Sequence, residues 1–239
     1  MNLVLCMAGL YQRFRQAGYM TPKFLLPWRG RTILEHILDS MLESGAFHRP
    51  LLVANRRDQS HAPALLAALR RHNAENLLFV KDTRGQAETA LVAARHLVQH
   101  FHAASEAIVF HNIDTILCQR DYRAMAEDLK SYDGYIDVFL SGSSRYSYVS
   151  VTPDLVVTAM AEKQVISPYA SSGLYGFRSA AEYILWAERS TYAGEFYISD
   201  VYRSLIREGG RVKIGRPSVE QETIVLGTPE EYESGRRAA

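Results

Sequence analysis

Nothing in this chain limits its fold more than an alternation of short apolar runs, at residues 2–7, 51–54, 77–80 and 107–111, with stretches whose apolar residues recur at helical spacing. Residues 31–44 place Ile33, Leu34, Ile37, Leu38, Met41 and Leu42 on one helical face and stop at Gly45, which predicts a helix with a glycine C-cap. Further helices are expected over 62–72 and 86–99. The runs between them are continuously apolar rather than alternating, so they read as strands buried on both faces of a sheet. Strands and helices in this order require right-handed crossovers and a mostly parallel sheet covered on both sides, a Rossmann-like three-layer α/β/α fold.

Beyond residue 134 the rhythm changes. Tyr135–Leu140, Tyr148–Thr152, Leu155–Ala161 and Leu174–Phe177 are short strand-like runs separated by turn residues such as Ser141-Gly142 and Pro153-Asp154, so mixed or antiparallel strands are expected here. Helices over 179–189 and 199–208 follow, then a strand near 211–215. In the closing Leu226-Gly227-Thr228-Pro229, Thr228 is placed to cap a last short helix. With no long linker and no internal repeat, residues 1–239 read as one domain with two halves, 1–133 and 134–239.

The 27 basic and 26 acidic side chains leave a formal charge of +1, so no strong global field draws the chain onto nucleic acid or an anionic membrane. A phosphate ligand would have to be gripped locally. Cys6 and Cys118 show neither metal spacing nor a disulfide framework. No run approaches the roughly 18 apolar residues of a membrane span, and the first apolar run is too short and lacks the basic leader of a secretion signal. The expectation is a cytoplasmic protein; association into a homo-oligomer is left open.

In open α/β sheets, ligands sit beyond the carboxyl ends of the strands, and the loop after the first strand carries Ala8-Gly9-Leu10, Arg13 and Pro22-Lys23. Glycine there lets backbone N–H groups approach an anion, and Arg and Lys add charge-assisted bonds to phosphate oxygens. Met7-Ala8-Gly9, Arg13-Phe14, Ala17-Gly18-Tyr19, Pro22-Lys23-Phe24-Leu25-Leu26 and Gly30-Arg31-Thr32-Ile33-Leu34-Glu35 together resemble the N-terminal signature of the sugar-phosphate nucleotidyltransferases. The resemblance continues through Gly85-Gln86-Ala87-Glu88-Thr89, Asn112-Ile113-Asp114, Glu162-Lys163, Ser172-Gly173-Leu174-Tyr175 and Tyr197-Ile198-Ser199-Asp200, in family order and spacing.

The resemblance implies a compact GT-A-like core that uses Mg²⁺ to join a nucleoside triphosphate to a phosphorylated acceptor, with release of pyrophosphate. It assigns Arg13 to the departing pyrophosphate and Lys23 to the α-phosphate. Ala8, Gly9, Leu10, Gly85, Gln86 and Asn112 would hold the nucleotide, Glu162, Lys163 and Gly173 the acceptor, and Asp114 and Asp200 the metal. The acceptor it implies is a sugar 1-phosphate for surface or capsular polysaccharide. A cytidylyltransferase acting on another phosphorylated small molecule such as phosphocholine, a non-catalytic relative that binds a nucleotide or nucleotide sugar, and a glycosyltransferase using Asn112-Ile113-Asp114 stand as alternatives. The length accommodates the catalytic core alone, with an acceptor pocket expected from residues 140–200.

The chemistry is consistent with these residue types. A phosphate monoester is already largely dianionic near neutral pH, so its attack on an α-phosphorus needs charge compensation rather than a general base. Carboxylates suit a hard, oxygen-seeking ion. Each residue also has a plainer role: Asp114 as a turn residue, Asp200 as a helix-terminal charge, Glu162 and Lys163 as an exposed pair. His111 is read as a hydrogen-bonded structural residue and is excluded from the metal set. One departure stands out. Where the family loop runs from Gly9 through a small residue, a second glycine and a Ser or Thr to the arginine, this chain has Leu10-Tyr11-Gln12, so Tyr11 either redirects the loop or covers the phosphates as a lid.

Overall fold

The computed structural model describes residues 1–219 and 222–237. In chain order the first half contains β1 (Asn2–Met7), α1 (Gln12–Gln16), β2 (Pro27–Trp28), β3 (Arg31–Thr32), α2 (Ile33–Leu42), β4 (Arg49–Asn55), α3 (Ala62–Arg70), β5 (Leu77–Val80), α4 (Gln86–Phe101), β6 (Ile108–Asn112), β7 (Thr115–Leu117) and α5 (Tyr122–Ser131). The second contains β8 (Gly134–Leu140), β9 (Tyr148–Val151), β10 (Val157–Ala161), β11 (Tyr169–Phe177), α6 (Ala180–Arg189), α7 (Ile198–Arg207), β12 (Val212–Ile214), β13 (Thr223–Val225) and α8 (Pro229–Arg237).

Nine strands form one sheet, whose spine runs β10-β9-β11-β6-β1-β4-β5, with β8 branching from β11 and β12 pairing with β8. β1 lies at its centre, parallel to β4 and β6, and β4 is parallel to β5. β11 joins antiparallel to β6, which starts the mixed half. The two faces of β1 explain the layers. Val4 packs into a core with Ala90, Ala94 and Tyr183 from helices on one side, while Leu3, Leu5 and Met7 pack with Ile37, Leu38 and Met41 on the other. Adjacent side chains of a strand point to opposite faces, so a continuously apolar strand needs a helical layer on each.

Local signals set the element ends. Thr32 Oγ1 accepts the Glu35 backbone N–H at 3.2 Å and the Glu35 carboxylate accepts the Thr32 N–H at 2.8 Å, a capping box that starts α2 and contributes on the order of 1 kcal/mol. Thr228 and Glu231 exchange the same bonds ahead of α8, as the closing Thr228-Pro229 pair predicts. The stretch between β1 and α2 is more ordered than its loop-like composition implies, since it holds α1 and a 3₁₀ turn at Lys23–Leu25. β7, α5 and β13 carry too little apolar periodicity to be read from the sequence, and they form through contacts made elsewhere, β7 pairing with β13 from the far end of the chain. Among the described residues, no helix is long and apolar enough to cross a membrane.

Candidate active site

The parallel strands β1, β5 and β6 end on the same edge of the sheet, and the segments that leave them line a cavity of about 590 Å³. Ala8, Gly9, Leu10, Arg13 and Lys23 line it from the β1 side, Gly85 and Gln86 from the start of α4, and Asn112 and Asp114 from the end of β6. A Cβ added at Gly9 would meet nothing within 4 Å, so the free protein does not need glycine there for packing. Gly9 lines the cavity itself, where a ligand would approach.

A second cavity, of about 380 Å³, adjoins the first and is lined by Glu162, Lys163, Gly173, Ser147, Tyr197 and Glu231, among others. The two share Arg13, Gln86, Asn112, Asp114, Glu195 and Gly227. Lys23 and Asp114 form an ion pair beside this junction, Nζ to Oδ2 at 2.6 Å. Burial alone would raise the Asp114 carboxyl, but the charge and hydrogen bond of Lys23 outweigh it and hold the group below the usual carboxylate range.

Two glycines fix how the cavities meet. Gly173 lies at φ +87°, within the stretch where the β11–β8 register shifts, and a Cβ there would fall 2.5 Å from the Asn112 amide nitrogen. Asn112 in turn accepts a hydrogen bond from Gln86, tying β11, β6 and α4 together. Gly85, at φ +150°, lies against Phe196, whose carbonyl oxygen would be 2.4 Å from an added Cβ. Phe196 N–H donates to Arg84 O at 2.8 Å and Ala87 N–H donates to Phe196 O at 3.0 Å. Close backbone approach of this kind means that any side chain at position 85 would have to displace the Phe196 backbone.

In the second cavity Glu162 accepts hydrogen bonds from Ser147 and from Ser199, the latter at 3.0 Å. Lys163 donates to the Tyr197 hydroxyl at 3.0 Å, and Tyr197 donates to Glu195 at 2.6 Å. The hydrogen bond it donates to Tyr197 is the main reason the Lys163 ammonium is held above its ordinary range. Both charges are thus pre-positioned by neighbouring hydroxyls, with Glu162 mostly buried and Lys163 still open to solvent.

Most of the residues expected from the sequence meet here, and one does not. Asp200 occupies the first turn of α7, where its carboxylate accepts the Tyr197 backbone N–H at 2.8 Å and pairs with Arg203. It lines a separate groove with Thr158, Met160, Arg203 and Arg207. The structure therefore does not assemble the expected pair of Asp114 and Asp200; a carboxylate at the third position of a helix is drawn back to that helix's own N–H groups. Among the described residues, no cluster of three or more His, Cys, Asp or Glu forms a metal cage. Mg²⁺ does not require one, because it is commonly held by one or two carboxylates with substrate phosphates and water completing its shell. Asp114 fits that donor set.

Sequence reading also missed part of the lining. The second cavity is not built from residues 140–200 alone, since Phe139, Val225, Gly227, Thr228 and Glu231 contribute to it. Arg145, paired with Glu231 at 2.8 Å, brings a further cation. The turn-rich run around Ser143 gave no hint of this. His111 is buried, with Nε2–H donating to Thr115 O at 2.8 Å, and burial pushes its pKa down to about 4, as suits a structural residue.

Fold and cleft together define the class, an open-sheet nucleotidyltransferase with a cavity at the strand ends where cations and carboxylates face each other and a polar second chamber beside it. A model of the MobA-like NTP transferase domain matches residues 3–175, and the chain belongs to that family. Among solved structures, a nucleoside-diphosphate-sugar pyrophosphorylase from Vibrio cholerae is similar over 98% of this chain and 99% of its own, with 28% identity and a TM-score of 0.86. A putative glucose-1-phosphate thymidylyltransferase from Bacillus anthracis shares the fold at 14% identity and a TM-score of 0.79, covering 100% of this chain and 94% of that one. The inositol-1-phosphate CTP transferase from T. maritima shares it at 15% identity and a TM-score of 0.73, covering 96% and 90% respectively. No curated protein matches the chain in sequence at a significant level.

Proposed function

We propose that the protein transfers a nucleotidyl group from a nucleoside triphosphate to a sugar 1-phosphate, releasing pyrophosphate and forming a nucleotide sugar. The observation that carries this reading is the Lys23–Asp114 ion pair beside the junction of two polar cavities, with Arg13 lining both. In the reaction, an acceptor phosphate oxygen forms a bond to the α-phosphorus while the bond from that phosphorus to the β-phosphate bridging oxygen breaks, and the electron pair leaves with pyrophosphate. Lys23 neutralises the α-phosphate and Arg13 the departing pyrophosphate. Ala8, Gly9 and Leu10 offer backbone to the triphosphate, Gly85, Gln86 and Asn112 orient the nucleoside, and Glu162 and Lys163 hold acceptor hydroxyls and phosphate. A Mg²⁺ at Asp114 would neutralise phosphate oxygens and align them.

The nucleoside-diphosphate-sugar pyrophosphorylase similarity favours a sugar acceptor, and its product would be an activated donor for surface polysaccharide. A cytidylyl transfer to another phosphorylated small molecule uses the same charges, and the fold shared with an inositol-1-phosphate CTP transferase accommodates it. Incubation with Mg²⁺, each nucleoside triphosphate and a panel of phosphorylated acceptors, followed by pyrophosphate release, tests the reading. Release with a sugar 1-phosphate supports it. Release with a different phosphorylated acceptor shifts it to that acceptor, and nucleotide binding without release from any pair overturns it in favour of a binding protein.

A further inference from the structure

Tyr11 replaces a small residue of the phosphate loop, and its environment shows what the replacement does. Its backbone sits at φ 36° and ψ 42°, the left-handed region that glycine occupies without strain. Its hydroxyl donates to Asp58, which lies 47 residues away in the 3₁₀ turn (Arg56–His61) after β4. The ring stands edge-on to Phe24, centroids 6.4 Å apart at 87°, and the Arg15 guanidinium lies 4.8 Å above it. Asp58 is 2% exposed. Its Oδ2 is buried with no hydrogen-bond partner, which leaves the Tyr11 hydroxyl as the group that satisfies this carboxylate among the described residues.

A buried carboxylate with one bonded oxygen is costly unless its partner stays in place. The bond therefore pins position 11 to the end of β4, and through the ring it also braces Phe24, the neighbour of Lys23. Both ends of the loop that lines the first cavity are referred to the same fixed point. Tyr11 lines the first cavity, but with hydroxyl and ring so engaged it acts as a strut of the loop rather than as a free lid.

We propose that Tyr11, anchored by Asp58, is a positioning residue that locks the loop from Ala8 to Arg13 in the conformation that grips a triphosphate, so that a tertiary tether supplies the order a glycine-rich turn would provide through its backbone. The proposal rests on the nucleotidyl-transfer reading for what the loop grips. The tether itself does not. Without it, the left-handed residue relaxes, the loop samples other paths, and nucleotide binding has to order it again.

The test uses Asp58→Ala, Tyr11→Phe and Asp58→Asn, with amide hydrogen exchange over residues 8–15 of the ligand-free protein and KM and kcat for the triphosphate. Asp58→Ala and Tyr11→Phe are expected to speed exchange in this segment about tenfold or more while distant strands are unchanged. KM for the triphosphate should rise roughly tenfold, with kcat within about threefold. Asp58→Asn, whose amide oxygen still accepts from the Tyr11 hydroxyl, should restore both values. The double variant Tyr11→Phe with Asp58→Ala should be no worse than either single change, because both remove one interaction. Unchanged exchange in Asp58→Ala overturns the tether, and faster exchange with unchanged KM overturns the positioning role. A wild-type protein that releases no pyrophosphate with any substrate counts against the transfer reading instead; nucleotide affinity then replaces KM in the same comparison.

Discussion

Lys23 and Asp114, 91 residues apart, meet with Nζ 2.6 Å from Oδ2, so the loop after β1 and the end of β6 hold each other's charge in the free protein. Each is partly exposed, at 17% and 23% of the side chain, and under the proposed function a triphosphate with its metal would replace each partner. Lys23→Ala and Arg13→Ala are each expected to lower turnover by about 100-fold or more, in line with the loss of one charge-stabilising group, with Tm shifted by no more than a few degrees. Asp114→Asn should do the same and weaken Mn²⁺ binding, whereas Asp200→Asn, which lies outside the cleft, should lower Tm and leave metal affinity within about threefold. Steady-state kinetics, melting curves and Mn²⁺ titration read the three quantities. Unchanged turnover in both Lys23→Ala and Arg13→Ala would sink the site.

Gly9 and Gly85 separate ligand approach from packing. Gly9→Ala meets no neighbour within 4 Å, so melting should be unaffected while nucleotide Kd rises about tenfold through loss of close backbone approach. Gly85→Ala sets a Cβ against the Phe196 carbonyl at 2.4 Å and keeps a φ of +150°, so it should cost about 1–3 kcal/mol of stability as well as affinity. Denaturant unfolding and calorimetry on the two variants distinguish these outcomes.

His111 makes stability depend on pH. Burial lowers its pKa from 6.5 to about 4, so the unfolded chain binds more protons than the native one between those values, and stability rises with pH across that window. Acidification from pH 6.5 to about 4 should therefore remove up to about 3 kcal/mol. Asp114 works in the same direction further down. Its folded pKa lies below its unfolded value near 3.8, so its contribution is complete above that value and is lost as pH falls through the folded one. Urea midpoints measured from pH 7 to 4 should fall steeply in the wild type and less in His111→Gln.

Arg120 is a buried cation whose removal strands its partners. Its guanidinium donates to Asp137 at 3.0 and 3.1 Å, to the Cys118 carbonyl at 2.8 Å, and to the hydroxyls of Ser218 at 2.7 Å and Thr223 at 2.6 Å. Burial raises the Asp137 carboxyl and Arg120 opposes this. Arg120→Ala should destabilise by about 3–5 kcal/mol, the usual loss when one member of a buried pair is removed. Adding Asp137→Asn should recover part of it by deleting the uncompensated charge. Denaturant unfolding of the single and double variants checks the order.

The residue order alone was enough for the parallel half. Leu3–Met7 and Leu51–Ala54 are apolar at every position and so have to be covered on both faces, and Ile33 to Met41 repeat at the period of a helix that can cover them. Such local patterns are dictated by the geometry of one element, so they appear in the chain itself. The same is true of the motif order that points to Arg13, Lys23, Gln86 and Asp114. Convergence of distant segments was settled by folding instead. Glu231 enters the second cavity because α8 returns to its mouth, Asp200 leaves the cleft because α7 captures its carboxylate, and Tyr11 becomes a strut because Asp58 emerges from β4 beside it. Each depends on a contact whose distance and direction are set by the packing of whole elements, and no spacing along the chain encodes that.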